Sequence, residues 1–191
     1  DGYREVLGWE IGHTEDEVFW AEFLRQLVQR GLRDVKLVTS DGHAGLKKAI
    51  AQILTGSAWQ RCRVHFMRNI LAKVPKSAQQ EVAGAVRSIF AQPDMASARE
   101  QLRRVAARLA GYPKARALLL EAEDDILAHM ALPESHRRRM HSTNPLERLN
   151  AELKRRSKVV GVFPNPASVE RLLGTVLMEQ DEEWQAADRC Y

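Results

Sequence analysis

The sequence predicts an α/β fold in which a sheet with helical crossovers is interrupted by a purely helical segment. Residues 4–12 (REVLGWEIG) alternate their side chains as a half-buried strand does, and residues 35–39 (VKLVT) form a short β-rich run. Residues 77–132 are instead rich in Ala, Leu, Arg, Gln and Glu at helical spacing. Strands that alternate with helices favour crossover connections, so the helical stretch is predicted to be an insertion.

Local signals place each element along the chain. Thr14 is predicted to cap the first helix, whose first turn is acidic, and Gly31 to end it. Pro93 separates two of the later helices. The predicted elements are strand 4–12, helix 14–31, strand 35–39, helix 44–54, strand 59–66, a short helix ending near 75, and helices 77–91, 95–110, 114–131, 145–158 and 167–185.

We expect three parts along the chain, because its composition changes twice. Residues 1–75 are predicted to form the first part of the sheet core. Residues 76–133 form the helical insertion, and residues 134–191 complete the core with two long helices.

Composition excludes several classes of protein. With 45% hydrophobic and 28% charged residues in 191, the chain is predicted to be globular rather than disordered. No run of 18 apolar residues occurs, so a transmembrane helix is not expected. The two cysteines, Cys62 and Cys190, are too few for a disulfide framework and indicate a reducing cytoplasm.

Positive charge is concentrated in residues 133–161. This segment carries eight Lys or Arg against three Glu, a local charge of +5, whereas the whole chain carries +4. Such a cluster indicates a polyanion partner, although a solvated helix face gives a similar pattern.

Asp41 directly follows the strand predicted over 35–39. Ligands bind at the carboxyl ends of strands in α/β sheets, and a carboxylate there can bind a hard cation such as Mg²⁺. Asp-Gly pairs are also common in turns, so Asp41 is either a metal ligand or a turn residue.

Glu147 has two interpretations as well. Asn144 is predicted to cap its helix, and a glutamate three residues later can close a capping box. At 100° per residue, Asn150 and Lys154 lie within about 60° of Glu147, so the three form a polar face. Glu152 lies about 140° away and belongs to another surface.

Cys62 and His65 form a Cys-x-x-His pair. A structural zinc site usually needs two such pairs, and this sequence has one, so zinc is not expected. A buried cysteine beside a histidine with polar contacts is the simpler interpretation. Nothing near Cys62 marks it as an activated nucleophile.

Four stretches together resemble the Mutator-type family of insertion-sequence transposases. They are 1–8 (DGYREVLG), 39–46 (TSDGHAGL), 62–69 (CRVHFMRN) and 142–150 (STNPLERLN), the last continuing through Lys154, Arg155 and Arg156 to 162–165 (VFPN). The family's catalytic domain has an RNase H-like fold, a mixed sheet flanked by helices, with a DDE carboxylate triad. The resemblance covers nearly the whole chain, and the helical insertion is its weakest part.

The resemblance implies a metal-dependent transposase that cuts DNA at the element ends and transfers the strands. Asp41 and Glu147 match the second and third carboxylates of the triad, which would bind two Mg²⁺ or Mn²⁺ ions. The family's first aspartate lies upstream of Asp1, so the isolated chain is predicted to be inactive. Cys62 and His65 match a family signature of unclear role.

The resemblance also implies the partners. DNA is the expected partner, as transposon ends and target, and a homo-oligomer is the expected active form in the cytoplasm, at the nucleoid. The predicted DNA contacts are Arg148, Asn150, Lys154, Arg155 and Arg156, of which Lys154 matches a basic position of the family.

Two rival functions fit the same features of the sequence. A different RNase H-like nuclease would share the metal site but lack the insertion and the motif at 142–150. A non-catalytic DNA-binding or dimerising remnant of a transposase would use Asp41 as a turn residue and Glu147 as a cap.

Overall fold

The computed structural model describes residues 2–12 and 14–187. Asp1 and Cys190, both considered above, lie outside these residues. The helices and strands are α1 Glu17–Gln29, β1 Leu37–Ser40, α2 Ala44–Ile53, β2 Ala58–Arg61, α3 Arg63–Leu71, α4 Gln79–Phe90, α5 Met95–Arg108, α6 Pro113–Glu121, α7 Glu123–Leu127, α8 Glu134–Arg137, α9 Asn144–Val160 and α10 Pro166–Ala186. The α/β class is therefore confirmed.

A small parallel sheet organises the first part of the chain. Within the described residues it has two strands, β1 and β2, paired from Leu37 opposite Ala58 to Ser40 opposite Arg61. Helix α2 connects them, as parallel strands require. Helix α1 packs on α2 so closely that a Cβ added to Gly45 would lie 2.8 Å from the backbone nitrogen of Glu17.

A second core occupies the helical stretch. Phe66 and Ile70 of α3 are fully buried together with side chains of α4 to α7, among them Val86, Leu102 and Leu119. The face that α3 buries thus belongs to the helical core, while its N-terminus follows β2 directly. The carboxyl end of β2 therefore adjoins the helical core.

Helices α9 and α10 complete the described chain. Gly161, with φ of +75°, ends α9 in a conformation that favours glycine. The side chain of Asn165 accepts a hydrogen bond from Ser168 N at 3.0 Å and caps α10. No helix among the described residues has both the length and the apolar character needed to cross a membrane.

One predicted strand is wrong, and another is shorter than predicted. Residues 2–12 form no strand, because no described strand lies beside them to pair with their backbone; Val6 N instead donates to the carboxylate of Asp181 on α10 at 2.6 Å. The strand predicted over 59–66 ends at Arg61, and α3 begins at Arg63. The described sheet is accordingly parallel, not mixed.

Three helix boundaries also differ from prediction. The first helix is capped by Asp16, which accepts from Phe19 N at 2.9 Å, rather than by Thr14. The helix predicted over 114–131 breaks at Ala122 into α6, α7 and a short 3₁₀ turn. Helix α9 follows Thr143, so Asn144 is its first residue and not its cap.

Candidate active site

Asp41 lies immediately beyond β1, at the carboxyl end of the sheet. The turn there is made by the backbone, since His43 N donates to Asp41 O at 2.8 Å. The carboxylate is left free for another contact, and its Oδ1 lies 2.6 Å from Nδ1 of His65. A turn and a ligand-binding carboxylate are thus compatible at this position.

Glu147 lies in the first turn of α9, where its backbone N–H donates to Thr143 O at 2.9 Å. No side-chain cap bond is formed at the start of this described helix, so the capping box is wrong. The carboxylate turns to the cleft instead, with Oε1 3.0 Å from Nε2 of His65.

His65 therefore stands between the two candidate carboxylates. Although its distances to them are short, Nδ1 of His65 and Oε1 of Glu147 form no hydrogen bond of acceptable geometry with any described residue. Both atoms are buried, and buried polar atoms without a hydrogen bond are rare in folded proteins. The arrangement indicates a place where a ligand completes the contacts.

Cys62 holds the two halves of this site together. Its side chain is fully buried, and Sγ accepts from Thr143 N at 3.4 Å and from Thr143 Oγ1 at 3.3 Å. Cys62 N donates to Ser40 O at 2.7 Å, so one residue joins the end of β1 to the start of α9. This agrees with the prediction of a buried cysteine.

Three side chains, one of them a thiol, also lie close enough together to be considered as a set of metal ligands. Asp41, Cys62 and His65 offer ligand atoms that all lie within 4.8 Å of one another. The sulfur already accepts the two hydrogen bonds from Thr143. The other two residues of this set, Asp41 and His65, line the same cleft as Glu147.

This candidate site, for which we use the name catalytic cleft, has a volume of about 530 Å³ and lies between α3, α9 and the end of β1. Asn150 and Lys154 line it with Glu147, as the helical face predicted. Sequence reasoning missed Glu15, His43 and Arg68, which also line it. Arg68 follows His65 by one helical turn, and that spacing was the available signal.

The other predicted DNA contacts lie elsewhere. Arg148 lines a second cleft, on the opposite side of the first turn of α9. Arg155 and Arg156 both bind Glu152, at 2.6 and 2.8 Å, and line neither the catalytic cleft nor this second cleft. Hydrogen bonds from Arg155, then Arg156, lower the pKa of Glu152 to about 2.

The fold and the cleft define a class: α/β proteins in which carboxylates from a strand end and a helix start face one cleft with cationic side chains in its walls. Comparison with known sequences names the family. The family described as "Transposase, Mutator family" matches residues 1–187, and the chain belongs to it. The resemblance found in the sequence is therefore confirmed.

Curated relatives agree with this family. The chain is similar to the transposase for insertion sequence element IS1081 of Mycobacterium tuberculosis, with 47% identity over 185 residues, 96% of this chain and 45% of the relative. The transposase for insertion sequence element IS256 in transposon Tn4001 of Staphylococcus aureus is 41% identical over 194 residues, which cover 100% of this chain and 50% of the relative. The chain spans about half the length of the curated relatives it matches.

Proposed function

We propose that this chain carries part of the catalytic domain of a DDE-type transposase, with Asp41 and Glu147 as two of its metal-binding carboxylates. The observation that carries the proposal is that these carboxylates, one just beyond β1 and one in α9, contact the two nitrogens of one imidazole. Membership of the Mutator family supports DNA transposition as the reaction. The proposed architecture is an RNase H-like core, 1–75 and 134–191, with an insertion at 76–133.

The donors at the cleft fit a hard divalent cation such as Mg²⁺ or Mn²⁺. Asp41 and Glu147 supply carboxylate oxygens, which Mg²⁺ prefers, and Oε1 of Glu147 is buried without a hydrogen bond to any described residue. When bound, a pair of such ions activates water or a 3′-hydroxyl and stabilises the leaving oxygen. His65 lies between the two carboxylates, 2.6 Å from Asp41 and 3.0 Å from Glu147.

Cationic side chains of the cleft bind the DNA in this proposal. Lys154 and Arg68 are exposed and form no ion pair with the described residues, so they are free to neutralise phosphates. Such contacts position DNA rather than read its sequence. Arg155 and Arg156 remain predicted contacts of smaller effect, because both already pair with Glu152 and Arg156 also lies 3.7 Å from Glu179.

Metal binding is tested on the chain itself. Tb³⁺ also prefers oxygen ligands. Because Trp20 lies in the cleft wall, Tb³⁺ luminescence excited through this ring is a direct measure of binding at the cleft. We expect Asp41→Asn and Glu147→Gln each to weaken binding by at least about tenfold. Glu170→Gln, which changes an exposed glutamate of α10, is the matched control and leaves binding unchanged. Equal affinities in all four proteins would remove Asp41 and Glu147 from the metal site.

Cleavage is tested in the complete protein that carries this chain. Glu147→Gln keeps the size of the side chain but removes its charge, and we expect it to abolish strand cleavage in Mg²⁺ or Mn²⁺. Glu170→Gln serves again as the control. Cleavage that persists in Glu147→Gln would refute the assignment and favour the non-catalytic remnant.

A further inference from the structure

A second cleft, of about 420 Å³, lies beside the catalytic cleft and is lined by arginines from three parts of the chain. Arg4 comes from the N-terminal segment, Arg138 and Arg139 follow α8, and Arg148 comes from α9. Trp184 of α10 forms another part of the wall. We call this the arginine cleft.

The charges of the arginine cleft are not balanced. Its wall contains no acidic side chain from the described residues. Nor do its four arginines form an ion pair or a side-chain hydrogen bond with any residue in 2–12 or 14–187. In contrast, Arg99 and Arg155 each bind carboxylates. Like charges gathered without counter-charges repel one another, so the cleft suits an anion with several negative groups.

The position of the arginine cleft points to the nature of that anion. Thr143 and Glu147 face the catalytic cleft, whereas Asn144 and Arg148 face the arginine cleft, so the first turn of α9 separates the two. A helix is about 10 Å wide and a DNA strand advances about 3.4 Å per nucleotide. A duplex whose axis runs from one cleft to the other therefore advances by about three nucleotides between them.

We propose that the arginine cleft binds the phosphate backbone of the DNA strand that passes through the catalytic cleft, about three nucleotides away. Guanidinium groups pair with phosphate oxygens through two parallel hydrogen bonds, which favours arginine at such a site. Trp184 offers its ring to a base of the same strand. The inference rests on the proposed function for the strand's role, and it adds Arg4, Arg138, Arg139 and Trp184 to the DNA-binding surface.

The test measures binding of a labelled DNA duplex to the chain by fluorescence anisotropy, in EDTA and at several salt concentrations. Each phosphate contact contributes about 0.9 to the salt slope, which is about fivefold in affinity at ~0.15 M salt. We expect the double variant Arg138→Ala/Arg139→Ala to lose up to about 25-fold in affinity and to show a shallower slope. The matched control is Arg108→Ala/Arg116→Ala, which removes two exposed arginines from helices α5 and α6.

Tryptophan fluorescence locates the bound DNA. The variants carry Trp20→Phe as background, because Trp20 lines the catalytic cleft and would also respond to the DNA. In that background, Trp184→Phe is expected to remove most of the DNA-induced change in emission, whereas Trp9→Phe, at a partly exposed ring outside both clefts, retains it. Circular dichroism is the check that each variant is folded.

Three results overturn the proposal: equal losses in the two double variants, an emission change that survives in Trp184→Phe, or no binding of DNA by the chain at low salt. Because EDTA is present and no cleavage is measured, failure of the proposed metal site leaves these results unaffected. A chain that binds DNA through the arginine cleft but shows no Tb³⁺ site would overturn the proposed function alone.

Discussion

Gln60 connects the sheet to the helical core through one fully buried amide. Its Nε2 donates to Arg61 O at 2.8 Å and to Ile126 O at 3.1 Å, and its Oε1 accepts from His129 N at 2.8 Å. Nδ1 of His129 lies 3.0 Å from the same oxygen. The substitution Gln60→Leu keeps the approximate size of the side chain and removes all of these contacts.

The expected loss of stability follows from the partners left behind. A buried group without its hydrogen bond costs about 1–3 kcal/mol, so Ile126 O and His129 N together cost about 2–6 kcal/mol. The buried leucine offsets about 1–2 kcal/mol of this through the hydrophobic effect. We expect a net decrease of about 1–4 kcal/mol in the free energy of unfolding.

Urea unfolding followed by circular dichroism measures the difference. The control is Gln52→Leu on α2, whose exposed amide donates to Glu17 at 2.9 Å and whose loss is expected to change stability by less than about 0.5 kcal/mol. If Gln60→Leu costs no more than Gln52→Leu, the buried amide does not connect the two cores in the way we describe.

Three further predictions concern stability. Gly45→Ala is expected to destabilise by about 1–3 kcal/mol, since its Cβ meets the backbone of Glu17 at 2.8 Å, and a normal melting temperature would contradict this. Gly84→Ala, in an exposed position of α4 with open space around it, is expected to stabilise by about 0.5–1 kcal/mol in the same melts. Burial, then the charge of Arg63, lowers the pKa of His129 from 6.5 to about 4. Between these pH values the unfolded chain binds more protons than the folded chain, so stability is expected to fall by about 3 kcal/mol as pH drops from 6.5 to 4. His129→Gln is expected to flatten that part of the pH profile, and an unchanged profile would show that His129 does not cause it.

Local patterns predicted the helices near the site closely. Helix α9 was predicted over 145–158 and runs Asn144–Val160, and α10 was predicted over 167–185 and runs Pro166–Ala186. The spacing of leucines and the proline at each start are properties of neighbouring residues, so one window of sequence contains them. The face that carries Glu147, Asn150 and Lys154 follows from the same periodicity.

Strands were predicted less well, because a strand is stabilised by another segment. Residues 4–12 have the alternation of a strand, yet their described neighbours are helices, and Val6 N donates to a side chain of α10. The run over 59–66 contains both β2 and the start of α3. Its alternation does not reveal that Cys62 lies at the change from strand to helix.

The sequence by itself determined the class of fold, the family, and the two carboxylates worth testing. Helical periodicity, the residues that begin a helix and the order of the motifs are all properties of the linear sequence. Tertiary structure alone decided that His65 stands between Asp41 and Glu147 and that Cys62 joins β1 to α9. Those contacts join segments far apart in sequence, and their distances depend on how the sheet and the helical core pack. For the same reason, no local pattern could bring Arg4 together with Arg148 in one cleft.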